Sequence, residues 1–295
     1  MEFYLEALQL SLCLGVMCLG VFISMKVFNI PDITTDGSYT LGASVTAIGL
    51  THAYPLAAVI LASLLMGACA GTMTGLIHTK LKIDALLAGI LVMTGLYSVN
   101  LLLLGRSNVP LVRTDSLFHQ FSLFSSELMN NLAMGLLIMA GWSLLVLYLL
   151  KTDFGIAMRA TGNSETMARA FGINTDKMKI LGLAIANALT ACSGSLVAQY
   201  QHFTDINMGI GIVIVGLGSV LIANALKNLF GISSIAGQIV LVVVGSLLFQ
   251  LVLALTLASG VDPNLLKLVT ALFVLAIVAI PRLGQRLLKG NWADS

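Results

Sequence analysis

Residues 151–179 read KTDFGIAMRATGNSETMARAFGINTDKMK and form the longest polar stretch of an otherwise apolar chain. Five of the chain's 15 lysines and arginines lie in this stretch. Asn163 and Ser164 are residue types that cap the start of a helix, and Glu165 suits the positive end of a helix dipole. Gly172 is typical of a helix end. The stretch therefore predicts a short amphipathic helix. Its apolar contact surface would consist of four side chains, those of Met167, Ala168, Ala170 and Phe171.

The composition indicates a membrane protein. Hydrophobic residues make up 58% of the chain and charged residues only 9%, with a mean hydropathy of +0.99, whereas a soluble domain carries about 25% charged residues. A chain this apolar could not keep a soluble surface polar. No lysine or arginine precedes the first apolar stretch, so that stretch is predicted to be a retained span and not a cleaved signal peptide. The four cysteines lie in apolar segments without a CxxC pair, which indicates packing and no redox role.

Apolar segments of the length that crosses a bilayer, about 20 residues for about 30 Å of hydrocarbon, recur along the chain. Nine segments can be delimited, at 7–27, 38–50, 55–77, 84–104, 128–150, 180–200, 208–225, 231–258 and 266–280. They predict an all-α fold class, a polytopic helical membrane protein with about eight to nine transmembrane spans, including a broken or short second helix.

In the third segment, Gly67, Gly71 and Gly75 form a small-residue face that favours close helix packing. Phe118, Phe121 and Phe124 recur at the spacing of a helix lying at the membrane surface.

The second segment has two interpretations. Pro31 disfavours helix at Ile30, Asp36-Gly37 indicates a break, and a helix restarting near Ser38 and ending near Leu50 would be only roughly 20 Å long. A broken helix beside a polar unwound stretch is typical of a solute pathway in transporters. The other interpretation is a plain cytoplasmic turn between two helices.

The polar stretch at 151–179 could be an ordinary basic loop that only sets orientation. Its sequence, however, resembles the cytoplasmic coupling loop of permease subunits of bacterial ABC importers of the branched-chain amino acid and ribose type. The matching residues are Gly162, Asn163, Ala168, Ala170, Gly172, Ile173 and Asn174. In that family the short helix docks in a groove of the ATPase subunit. The resemblance thus assigns ATPase coupling to nine residues: Asn163, Ser164, Glu165, Met167, Ala168, Phe171, Gly172, Ile173 and Asn174.

The resemblance covers nearly the whole chain. The segment Asp36-Gly37-Ser38-Tyr39 matches the end of a family segment near the N-terminus, which favours the pathway interpretation there. The predicted solute-pathway residues are Asn29, Asp36, Ser38, Asn100 and Asn187. For Asn100 the alternative is a hydrogen bond to a neighbouring helix. The expected organisation is a single transmembrane permease domain over 1–295 that contains the coupling loop 151–179.

The distribution of positive charge predicts the orientation. With the coupling loop in the cytoplasm and nine crossings, twelve lysines and arginines lie inside and two, Arg106 and Arg113, lie outside, a strong positive-inside bias. The expected location is the bacterial cytoplasmic (inner) membrane, as a multi-pass protein with its N-terminus outside and its C-terminus in the cytoplasm. If the second segment were re-entrant, the N-terminus would lie inside.

The chain contains no GxxxxGK[ST] motif, so ATP would be bound by a partner and the chain itself needs no cofactor. Its four histidines lie far apart, and no metal site is predicted. The resemblance implies an importer subunit and not an enzyme, for an amino acid or a similar small polar solute. The implied partners are an ABC ATPase subunit on the cytoplasmic face, a second permease copy forming a homodimer, an extracytoplasmic solute-binding protein and the lipid bilayer, with no nucleic acid.

Two alternatives belong to other functional classes. An ion-driven secondary transporter or channel would work without an ATPase, although the scarcity of charges inside the apolar segments argues against it. A membrane-embedded enzyme or scaffold would need a cluster of reactive side chains, and the sequence shows none.

Overall fold

The computed structural model describes residues 2–111, 117–120, 126–262 and 265–290. The described chain is almost entirely helical. The helices are α1 (Glu2–Val21) with a π-helical end (Phe22–Val27), α2 (Thr34–Thr51), α3 (Leu56–Lys80), α4 (Ala85–Leu104), α5 (Leu117–Gln120), α6 (Glu127–Lys151), α7 (Asp153–Asn163), α8 (Glu165–Ala170), α9 (Thr175–Gln201), α10 (Ile212–Phe230), α11 (Ile235–Ala258) and α12 (Leu266–Gly290). Two short strands, β1 (Asn108–Pro110) and β2 (Phe203–Asp205), pair antiparallel.

Within the described ranges, seven helices are long and apolar enough to cross a membrane: α1 with its π-helical end, α3, α4, α6, α9, α10 and α11. A further apolar helical stretch, Leu266–Ile277, is shorter. The predicted fold class, a polytopic helical membrane protein, is confirmed.

Helices α1 and α9 form the centre of the bundle. In their most apolar windows 83% and 78% of residues are buried, compared with 28% in α3, α4, α6 and α10. The outer helices instead carry exposed leucines, which suit contact with lipid. The centre is therefore protein-filled, and a polar group buried there is costly unless it bonds another part of the chain.

Helix α2 crosses the bundle alongside α9. Ser38 bonds Asn187 and Thr46 bonds Ser195, so the two helices run in the same direction. The 18 residues of α2 correspond to about 27 Å at 1.5 Å per residue. The predicted start near Ser38 and break at Asp36-Gly37 are wrong, because the helix begins at Thr34 and continues through both residues.

The first turn of α2 explains that difference. Asp32 lies just before the helix, and its Oδ1 accepts a hydrogen bond from the backbone N–H of Thr34 at 2.9 Å. The hydroxyl of Thr35 donates to the carbonyl of Asp32 at 3.2 Å. Polar residues that suggest a loop in the sequence thus bond the backbone at the start of the helix from inside the protein, although the N-cap residue itself is Ile33.

The strand pair shows which helix ends lie on the same side of the bundle. Strand β1 follows α4 and β2 follows α9, so the pairing of Val109 with Thr204 places the ends of α4 and α9 together. Helix α8, which precedes α9, lies at the opposite end of the bundle. Phe118 is buried and packs edge-on against Tyr200 with ring centroids 6.0 Å apart. It therefore does not face a membrane surface as predicted, and Phe121 and Phe124 lie outside the described residues.

The small-residue face of α3 packs against α9. The α9 neighbours of Gly67, Gly71 and Gly75 are Asn187, Leu183 and Ile180, respectively. Because the pairs run in opposite directions, α3 and α9 are antiparallel. The predicted packing role of the three glycines is confirmed.

We expect Gly71→Ala to destabilise the protein, because the added methyl group would meet the backbone carbonyl of Leu183. Overpacking of this kind costs about 1–3 kcal/mol, and the melting temperature in detergent should fall by about 3–10 °C. Gly95→Ala is the matched control, since a Cβ there meets no atom within 4 Å. Equal melting temperatures for the two variants would contradict the proposed close contact.

Candidate functional site

Helix α8 is held between two local caps. The hydroxyl of Ser164 accepts from the backbone N–H of Met167 at 3.4 Å, and Gly172 adopts a left-handed φ of 81° that ends the helix. Asn174 then caps α9, because its Oδ1 accepts from the backbone N–H of Lys177 at 3.0 Å. The predicted short helix with Ser164 and Gly172 at its ends is confirmed. Asn163 does not cap it and is instead the last residue of α7.

An ion-pair cluster fixes α8 to the start of α9. Glu165 bonds Lys179 at 2.6 Å and Arg169 at 2.8 Å, and Arg169 also bonds Asp176 at 2.9 Å. Arg169 Nε further donates to the hydroxyl of Thr175 at 2.8 Å. One side of α8 is therefore anchored to the first turns of α9 by several charge-assisted hydrogen bonds.

The apolar side chains of α8 and of the residues directly after it divide between two sides. Ala168 is only 2% exposed and faces the protein, whereas Met167 is 62% and Phe171 80% exposed. Ala170 is also exposed, and Ile173 is half-buried. Of the predicted apolar contact surface, Ala168 is thus covered by the chain itself, and Met167, Ala170 and Phe171 remain accessible.

Helix α7, which was expected to be part of a loop, joins α8 to the bundle. The hydroxyl of Thr152 caps it by accepting from the backbone N–H of Gly155, a signal that the Thr-Asp pair at 152–153 carries in the sequence. At its other end Gly162 packs against Val27, and the side-chain amide of Asn29 donates to the Gly162 carbonyl at 3.1 Å. Asn29 is exposed and lies at this junction, apart from the other predicted pathway residues.

A buried polar network surrounds α2. The Ser38 hydroxyl donates to Asn187 Oδ1, and Asn187 Nδ2 donates to Asp32 Oδ2, both at 2.7 Å. Asn100 Nδ2 donates to the carbonyl of Gly37 at 3.2 Å. All these polar side chains are at most 3% exposed. The sequence did not single out Asp32 as a partner of Asn187, since 155 residues separate them.

Asp36 caps the N-terminus of α10 from within the bundle. Its two carboxyl oxygens accept from the backbone N–H groups of Gly211 at 2.7 Å and Val213 at 2.9 Å. Gly211 has a left-handed φ of 83°, which turns the chain into the helix. A carboxyl group at a helix N-terminus satisfies orphan donors and interacts favourably with the helix dipole.

The structure thus brings four predicted pathway residues, Asp36, Ser38, Asn100 and Asn187, around α2. In this conformation each bonds another part of the protein, and Asn100 does so as its alternative interpretation proposed. The Oδ1 atom of Asn100 is buried and makes no hydrogen bond. Their role in a solute pathway stays a prediction.

The anchoring of α8 should depend on pH. Hydrogen bonding from Lys179, together with Arg169, holds the pKa of the Glu165 carboxyl below its ordinary value. Because that pKa is depressed, the stabilisation is present at neutral pH and is lost as the pH falls through the folded-state pKa. We expect amide hydrogen exchange in α8, corrected for intrinsic rates, to become up to about fivefold faster in acid.

The control for this measurement is Glu165→Gln, which should exchange faster already at neutral pH and lose the acid response. Unchanged protection of α8 across the acid range in the unmodified protein would contradict the anchoring role.

Comparisons with known proteins identify the family. The family model described as "Branched-chain amino acid transport system / permease component" matches residues 3–279. The chain is 38% identical over 281 residues to the tyrosine transport system permease protein of Clostridioides difficile, covering 95% of this chain and 92% of that protein. It is 28% identical over 202 residues to the autoinducer 2 import system permease protein LsrC of Photorhabdus laumondii, covering 66% and 57%.

Solved structures share the fold. An inward-facing metal-chelate type ABC transporter aligns with a TM-score of 0.51 and 15% identity, over 96% of this chain and 85% of that chain. PsaBC from Streptococcus pneumoniae aligns with a TM-score of 0.53 and 16% identity, over 92% and 89%. The chain therefore belongs to the branched-chain amino acid transport system permease family, as a multi-pass transmembrane subunit of an ABC transporter whose ATPase is a separate subunit.

Proposed function

We propose that this permease imports an amino acid and that its ATPase subunit docks on a surface formed by Met167, Ala170 and Phe171, here called the coupling surface. The observation that carries the proposal is the exposure of Met167 on an anchored helix and of Phe171 directly after it. Large apolar side chains exposed on a polar face of a membrane protein are typical of a site that another protein covers.

The remaining coupling residues have supporting roles in this proposal. Ser164, Gly172 and Asn174 shape the two turns, and Glu165 holds α8 to α9. A rigid helix can transmit force from the ATPase, whereas a mobile loop would absorb it. Asn163 and Asn29 lie where α7 meets the end of α1, so we propose that α7 carries the motion onward to the bundle.

The relatives support an amino acid as the solute. The C. difficile relative is a tyrosine transport system permease, and its alignment covers nearly the whole of both chains. We therefore propose an aromatic amino acid as the solute.

We propose the orientation that the positive charges favour, with α8 and the C-terminus in the cytoplasm and the strand pair outside. In this arrangement residues 1–295 form one transmembrane domain that includes the loop 151–179. A second copy of the chain completes the permease, and a solute-binding protein delivers the amino acid from outside.

The test is uptake of radiolabelled tyrosine into proteoliposomes. The permease would be reconstituted with its proposed ATPase and solute-binding protein, with ATP or ADP inside the vesicles. We expect uptake only with all three proteins and ATP. Uptake by the permease alone, driven by a proton or sodium gradient, would overturn the proposal.

A further inference from the structure

A positively charged cleft lies on the same side of the bundle as α8. Its main cavity has a volume of about 290 Å³ and lies between the π-helical end of α1, the C-terminal part of α7 and the start of α11. A narrow extension continues between α10 and α11, and Phe22, Lys26 and Gln238 line both parts. Four helices thus converge on one concave site.

Three cations from three different elements line this cleft: Lys26, Arg159 and Lys227. The lining contains no aspartate or glutamate. Four amide side chains, those of Asn29, Asn163, Asn224 and Gln238, add hydrogen-bonding groups. The start of α11 also lies here, and a helix N-terminus favours an anion.

The cations of the nearby α8 region are arranged differently. Lys179, Arg169 and Lys80 all pair with Glu165 or Asp176. In the part of the chain that the structure describes, Lys26, Arg159 and Lys227 have no such carboxylate partner. Like charges that converge on a partly buried site repel one another unless an anion neutralises them.

We propose that this cleft binds the phosphate group of an anionic phospholipid headgroup. Basic pockets between transmembrane helices on the cytoplasmic side are suited to such headgroups. The cavity lies at the lower end of the range for small-ligand pockets, which fits a headgroup whose acyl chains stay in the bilayer. Apolar side chains, including Phe22, Val27 and Leu150, line the same cavity and suit the glycerol region.

The proposed site has a structural consequence. Arg159 belongs to α7, whereas Lys26 and Lys227 belong to the ends of α1 and α10. A headgroup that contacts Arg159 and either lysine would tie α7, the segment that leads into α8, to the bundle. Binding of the lipid should therefore raise the melting temperature of the permease. The inference rests on the proposed orientation, but it does not require that the solute or the ATPase contact be as proposed.

The test is titration of purified permease with phosphatidylglycerol or phosphatidylcholine, with bound lipid counted by native mass spectrometry. We expect selective retention of phosphatidylglycerol by the unmodified protein. The double variant Lys26→Gln, Lys227→Gln should bind it about 30-fold more weakly, because each lysine near an anionic group contributes about 1 kcal/mol. Lys26→Arg with Lys227→Arg should restore binding to within about threefold.

The matched control is Lys82→Gln with Lys177→Gln, which removes the same charge from exposed positions on the same side, outside the cleft. This variant should bind like the unmodified protein. Equal weakening in both double variants, or no preference for phosphatidylglycerol, would overturn the proposal. Inorganic phosphate is added in a separate arm. If it raises the melting temperature as much as phosphatidylglycerol does, the site takes soluble phosphate and the lipid assignment is wrong.

Discussion

Replacing Met167 and Phe171 together by aspartate is expected to remove the ATPase subunit from the purified permease. Met167 lies on α8 and Phe171 directly follows it, and both side chains are exposed and do not support the fold from within. Apolar side chains at the centre of a protein interface contribute about 2 kcal/mol or more each, and a carboxylate buried there would add a desolvation cost. The affinity for the ATPase should therefore fall at least about 30-fold, and ATP-driven uptake should be lost.

The matched control is Lys82→Asp, which also adds negative charge to an exposed position on the same side, in the turn between α3 and α4. It should retain the ATPase. The melting temperature of each variant in detergent shows whether the permease is still folded. Normal retention of the ATPase by the Met167, Phe171 double variant would remove the coupling surface from consideration, because that measurement tests the contact directly.

Ala168→Asp is a different kind of change. Ala168 is buried against the protein. A carboxylate there would therefore disrupt the packing of α8 against the bundle as well as the contact with the ATPase. Loss of the ATPase in that variant would not locate the interface. A substitution on the exposed side of α8 tests docking of the ATPase, whereas one on the buried side also changes how α8 packs against the bundle.

Sequence patterns predicted the ends of α8 well, because capping depends on residues only a few positions apart. Ser164 and Gly172 act within their own turns. Which side of the helix faces outward depends instead on Glu165 reaching Lys179, 14 residues away in α9. A six-residue helix is also too short for its apolar residues to define a face. The sequence alone therefore left Ala168 on the contact surface.

The roles of the buried polar residues also could not be predicted from the sequence, because their hydrogen-bond partners lie far away in the chain. Apolar length predicted most of the spans, but α2 was expected to be short because its first turn contains Thr34, Thr35 and Asp36. Those side chains are buried, and one of them, Thr34, bonds Thr74 of α3 at 2.7 Å. Polarity that would indicate a loop in an isolated segment becomes compatible with a crossing helix once neighbouring helices satisfy it.

Asp36→Ala is expected to be among the most destabilising single substitutions in the described bundle. It removes the two bonds from a buried carboxyl group to the backbone of Gly211 and Val213 and leaves the half-buried N-terminus of α10 without its cap. Hydrogen bonds to charged groups contribute about 1.5–3 kcal/mol each. A total loss of about 3 kcal/mol would lower the melting temperature in detergent by about 6–12 °C.

Asp84→Ala is the matched control for the loss of an N-cap. Asp84 also caps a transmembrane helix, with Oδ1 accepting from the backbone N–H of Leu86 at 2.9 Å, but it is exposed. Water can replace that bond, and the expected cost is only about 1 kcal/mol. Melting temperatures that fall equally in the two alanine variants would show that burial adds nothing at Asp36.

Asp36→Asn separates a structural role from a role in the solute pathway. The amide keeps the shape of the side chain and one acceptor oxygen, so its melting temperature should lie between those of Asp36→Ala and the unmodified protein. If Asp36 only holds α10, the KM for uptake in Asp36→Asn should stay within about threefold of the original value. A stable Asp36→Asn protein with a KM raised tenfold or more would instead place this carboxyl group in contact with the solute, because such a change is a loss of substrate binding with the fold intact. The same carboxyl group would then hold the N-terminus of α10 in one conformation and contact the solute in another.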